Sequence, residues 1–79
     1  MLYKTKDLGE IQTLLMFKHE LKDILPIGDG VIEFIFIDYD GSASGLADRY
    51  RQGKVEGDLL AFSLMRHHVI SLIRRAQKP

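Results

Sequence analysis

Two carboxylates separated by one residue, Asp38 and Asp40, stand at the end of the most apolar run in the chain, "IEFIFIDYDGSASG" over residues 32–45. Carboxylates so placed can share work. One can act as a nucleophile while the other moves a proton. An oxygen-liganded magnesium or calcium ion would suit the same pair. Aspartate is also the residue that ends strands and bonds to its own loop backbone, and Asp-Gly is a strong turn dipeptide. The plainer reading is a strand running into a turn, with Ser42 or Ser44 capping the next helix and Asp48 near its start.

The residues "DYDGS" resemble the first motif of the haloacid-dehalogenase-like phosphatases, in which a strand leads into Asp-x-Asp-Gly and then Thr or Ser. That resemblance implies Asp38 as the nucleophile, Asp40 as the general acid/base and a magnesium ion beside them. It covers one short stretch. The parallel fold of that family needs crossover units of about 30 residues or more each, and 39 residues follow Asp40. A metal-dependent phosphoryl enzyme at Asp38 and Asp40 is therefore the remote alternative. A calcium loop begun at Asp38 puts Ala43 where glycine is required and Arg49 where a bidentate glutamate belongs.

His67 and His68 are neighbours, so on a helix they point about 100° apart and do not share a metal. No catalytic, cofactor-binding or metal-binding residues are expected from these patterns, and no cofactor. Charge is distributed unevenly. Seven basic and eleven acidic residues precede Leu59; after it come Arg66, Arg74, Arg75 and Lys78 with no acid. A strand followed by two helices is similar to the ribbon–helix–helix DNA-binding architecture, an obligate dimer. A reading strand there shows polar or basic side chains, whereas this one shows Ile, Phe and Glu33. A small nucleic-acid-associated regulator using the basic C-terminal helix is thus the alternative function, not the favoured one. Balancing the helix dipole is the simpler role for Arg74 and Arg75.

The elements that would position these residues follow from periodicity. Residues 7–25 predict one helix, opened by Asp7 and Glu10 in capping-box spacing and stopped by Pro26. Its apolar face holds Ile11, Leu14, Leu15, Phe17, Leu21, Ile24 and Leu25. Lys18 falls in the middle of that face, its stem lying on apolar surface or its ammonium serving the Asp38/Asp40 pair. Residues 31–38 predict a strand with Ile32, Phe34 and Phe36 on one face and Val31, Glu33, Ile35 and Ile37 on the other. Both faces are apolar apart from Glu33, the pattern of a strand covered on two sides. Such a strand needs partners for its backbone groups, from "LYKT" at residues 2–5 or from a second chain. "GLADRYRQG" reads as a short helix, with a hairpin at "RQGK" as the other possibility. Residues 55–76 read as a long helix, with Ala61, Phe62, Met65, Val69, Leu72, Ile73 and Ala76 inward.

On that helix Leu60 and Leu64 are left over once the core stripe is assigned. With His67, His68, Arg74 and Arg75 they form the candidate partner contact, since apolar residues bordered by charge mark interfaces. The expected core is Phe34, Phe36, Leu14, Leu21, Phe62, Val69 and Leu72.

Bulk properties narrow the function. Seventy-nine residues with 46% hydrophobic content predict one folded domain over residues 1–79, but chains of this size bury only about 60% of their unfolded surface. There is no cysteine, so disulfides and thiolate metal sites are excluded, and association with a copy of itself or with another protein is expected more than usual. Net charge is zero, which excludes a global field toward nucleic acid or anionic lipid. The first residues hold no signal-like apolar stretch and no run is long enough to span a bilayer, so no membrane partner and a cytoplasmic location are expected. The fold class is α+β, in the order helix, strand, short helix, long helix, with the sheet completed by an N-terminal strand or a second chain. The function expected is a non-catalytic protein-interaction module: a small regulatory, adaptor or inhibitor protein, or a subunit of a larger complex. Its partner would be another protein, itself as a homodimer, or both.

Overall fold

Strand β3 (Val31–Ile37) is the centre of the molecule, with a strand on each edge and the helices packed on one face. The computed structural model describes residues 1–77. The elements run β1 (Leu2–Thr5), α1 (Leu8–Met16), β2 (Leu21–Gly28), β3, α2 (Ser42–Arg51) and α3 (Leu59–Gln77). The sheet has the order β1-β3-β2 and both pairings are antiparallel. The α+β class holds, and the sheet is completed within the chain by β1, one of the two alternatives, and by β2, which periodicity had placed in a helix.

The helix expected over residues 7–25 ends at Met16. Asp7 caps its start, accepting from the Glu10 amide at 2.9 Å. At its end Lys18 takes φ 64°, the Lys18 amide donates to the Leu15 carbonyl and the His19 amide to that of Leu14, each at 3.0 Å. That is the left-handed C-terminal cap usually built on glycine. Lys18 is exposed in this turn and not on a helix face.

β2 then pairs with β3 through a two-residue turn at Asp29-Gly30, where Gly30 has φ 71°. A non-Gly side chain is disfavoured at that angle, so the Asp-Gly pair is the chemistry the hairpin requires. Pro26 lies in β2, an outer strand, the place in a sheet where a missing N–H is tolerated.

The faces of β3 are those expected. Ile32, Phe34 and Phe36 meet Ile11 and Leu14 of α1, Ala43 and Leu46 of α2, and Val69 of α3 in one core. Leu21 and Leu72 pack against that core half-buried, while Phe62 lies outside it. The Phe62 side chain lines a cleft of about 180 Å³ with Thr13, Met16 and Tyr50, and its carbonyl accepts from Gln12 Nε2 at 3.0 Å. The other face of β3 is not covered by a helix of this chain among the described residues, where coverage on both sides was expected. Tyr50 sits close against Gly9 of α1, so a methyl group there would overlap its ring.

α3 starts later than the expected Val55, at Leu59, and the Oδ1 of the preceding Asp58 accepts from the amides of Leu60 at 2.8 Å and Ala61 at 3.2 Å. No helix among the described residues is long and apolar enough to cross a membrane.

Candidate functional site

The loop after β3 is built from its own caps. Asp38 is buried at 4% exposure. Its Oδ1 accepts from the Ala43 amide at 3.1 Å and its Oδ2 from the Ser44 amide at 3.3 Å. The Asp38 amide donates to the Met1 carbonyl at 2.8 Å, extending the β1–β3 ladder by one rung. Asp40 is exposed and accepts from the Ser42 amide at 3.0 Å. Gly41 turns the chain with φ 81°, and Ser44 Oγ donates to its carbonyl at 3.2 Å. The two aspartates therefore saturate the first N–H groups of α2, a duty expected of Ser42 or Ser44. The helix begins at Ser42 instead of Gly45, which moves Asp48 from the first turn to the last, where it pairs with Arg51.

Burial pushes the Asp38 carboxyl up, but the Ser44 side chain and the amides of Ala43, Ser44 and Gly41 together hold it below the ordinary aspartate value. Asp40 is held low by Ser42, through its side chain and its amide. These are the signs of carboxylates bonded in their ionised form. Lys18, the suggested companion of the pair, stands in the α1–β2 turn. Among the described residues no three His, Cys, Asp or Glu side chains are gathered as a metal site.

A depressed folded pKa gives a testable acid limb. The contribution of the Asp38 carboxylate is complete above the unfolded pKa of about 3.9 and is lost as pH falls through the lower folded value. Asp38→Asn keeps one acceptor oxygen and loses the charge. It should cost about 1 kcal/mol at pH 7, as helix caps do, and its urea midpoint should fall less than the wild type's between pH 5 and 3. Equal acid limbs for the two proteins would remove the charged cap from this account.

The candidate contact on α3 lies where helical spacing puts it. Leu60 and Leu64 are 67% and 59% exposed, and His67, His68, Arg74 and Arg75 are exposed beside them. Leu60, Leu64, His67 and Arg74 fall opposite Val69, the one fully buried residue of α3, while His68 and Arg75 lie on its flank. The outer stripe is thus apolar over its first two turns and basic at its end, where Arg75 donates to Ser71 Oγ at 3.3 Å. Lys78 lies outside the described residues.

Two features went unread in the sequence. One is the buried Glu10, whose Oε1 accepts from the Tyr3 hydroxyl at 2.5 Å and whose Oε2 accepts from Arg51 at 2.8 Å. The other is the second face of the sheet. There Leu2 pairs with Ile37, Lys4 and Asp23 flank Ile35, and Leu25 pairs with Glu33. Leu2, Leu25 and Val31 are 39–46% exposed. The alternation of β3 signalled that face, but the residues contributed by β2 were hidden by its reading as helix.

No protein-family model, curated protein or solved structure matches this chain.

Proposed function

We propose that this protein is a non-catalytic interaction module of the cytoplasm, a homodimer that presents the outer stripe of α3 to another protein. The observation that carries the reading is the exposure of Leu60 and Leu64, stacked one turn apart on a helix whose inward face is already used. Large apolar side chains clustered on a small domain lower the free energy of association when a partner covers them. The histidines and arginines below them supply the polar border that interfaces carry around an apolar centre.

The test compares capture by three tagged forms of the full chain, in lysate of the host, with and without nuclease. The paired substitution Leu60→Glu with Leu64→Glu should reduce recovery of a stoichiometric protein partner at least about ten-fold, as loss of a central anchor does. Arg74→Ala with Arg75→Ala should retain it, and nuclease should not matter. Recovery of nucleic acid alone, lost with the arginines and falling steeply with salt, would replace this reading with the nucleic-acid one.

A further inference from the structure

Resting on the homodimer part of that reading, we propose that a second copy of this chain covers the open face of the sheet, related by a two-fold axis running along β3. The helices all pack on the face of Ile32, Phe34 and Phe36. On the other face Ile35 is buried to 7% exposure and lies outside the core cluster. On the same face Leu2, Ile37 and Leu25 lie around it among Lys4, Asp23 and Glu33, and Val31 stands further along the strand; exposed apolar residues of this kind are what another protein covers.

Charge selects the occupant and the axis. Lys4 of β1 and Asp23 of β2 both pair with Ile35, one on each side. The central rung therefore reads Lys4–Ile35–Asp23. Both charged residues are exposed and neither is in an ion pair among the described residues. Asp23 Oδ1 accepts from the Ile24 amide at 2.8 Å, and Oδ2 has no such bond among the described residues. The two ends of the rung lie two strand spacings apart, about 9–10 Å, too far to neutralise each other directly. A two-fold along β3 turns the rung end for end. It sets Lys4 opposite the partner's Asp23, Asp23 opposite the partner's Lys4, and Ile35 against the partner's Ile35.

Stacked sheets stand about 10 Å apart, a gap that isoleucines fill and a lysine stem crosses. An axis across the strands would instead oppose Lys4 to the partner's Lys4, which is repulsive. The same axis brings the two Glu33 side chains towards each other, and the crossing of about 30° usual for aligned sheets offsets them by only a few ångströms. One patch that complements itself in this way makes a closed dimer and leaves no open-ended assembly.

Sedimentation equilibrium of the full chain tests the interface, with Lys4→Asp, Asp23→Lys and the double variant beside the wild type. Both positions are exposed, and circular dichroism checks that each variant folds. The wild type should be a dimer. Each single reversal should weaken dimerisation at least about ten-fold, because it places like charges across the seam, and the double variant should restore it. A dimer indifferent to these reversals but dissociated by Leu60→Glu with Leu64→Glu would overturn the sheet seam and leave the homodimer reading standing. A monomeric wild type would overturn both the seam and the homodimer.

Discussion

Phe34→Ala is expected to cost about 3–5 kcal/mol, the range for removing a fully buried aromatic side chain. Phe34 has no exposed surface and sits in the middle strand, opposite Thr5 on one side and Ile24 on the other. The helices close over it from α1, α2 and α3, so the cavity has few ways to collapse. A domain of this length holds about 4–12 kcal/mol in total, so the loss is a large share of the whole. The thermal midpoint should drop by about 15 °C or more. Val31→Ala, on the open face of the same strand and 39% exposed, should cost about 1 kcal/mol or less, since little area leaves water there. Similar losses at the two positions, followed by thermal melts at one protein concentration, would mean that the core is not confined to one face.

What was legible in the sequence depended on whether a local signal and the tertiary structure used the same spacing. β3 was legible because its alternation is unbroken: seven residues, with Ile32, Phe34 and Phe36 inward. α3 was legible because its apolar residues keep the helical period over five turns. Residues 17–28 failed for two physical reasons. The helix is closed by Lys18 in a left-handed conformation, which carries none of the glycine that usually announces such a stop. Then β2 is irregular between Leu21 and Asp23, so its inward residues Leu21 and Ile24 are three apart while their partners Phe36 and Phe34 are two apart. A bulged strand thereby imitates the period of a helix.

The aspartate loop was legible as a turn, because Asp40-Gly41 has a local meaning, but the reach of Asp38 to residues five and six positions ahead is set by where the strand delivers it. The bond between Glu10 and Arg51 joins residues 41 apart. Nothing near either residue announces it.

That bond lies in a network whose loss is the second large effect expected. Glu10 is 5% exposed and receives both Tyr3 of β1 and Arg51 at the end of α2, so one carboxylate ties the first strand and two helices together. Arg51 also donates to the Tyr3 oxygen at 3.1 Å and is paired with Asp48. In Glu10→Ala the arginine, half exposed, turns to water, while the Tyr3 hydroxyl is left half-buried without its acceptor. A hydrogen bond to a charged group is worth about 1.5–3 kcal/mol, and Glu10→Ala should lose about that amount. Tyr3→Phe should lose a similar amount, and the double variant little more than either, because both remove the same bond.

Burial, and next the hydrogen bond to Glu10, push the Tyr3 phenol above its ordinary value against the opposing effect of Arg51. A folded pKa above the unfolded one, about 10, means stability that is complete below pH 10 and lost as pH rises through the folded value. Wild-type melting temperature should therefore fall above pH 10, more steeply than that of Tyr3→Phe. Tyr39, raised by its bond to Glu20, contributes to the same limb, so the comparison is made in a Tyr39→Phe background. If Tyr3→Phe keeps the full alkaline fall in that background, the hydroxyl is not what Glu10 holds in the folded state, and the seam between β1 and the helices rests on packing alone.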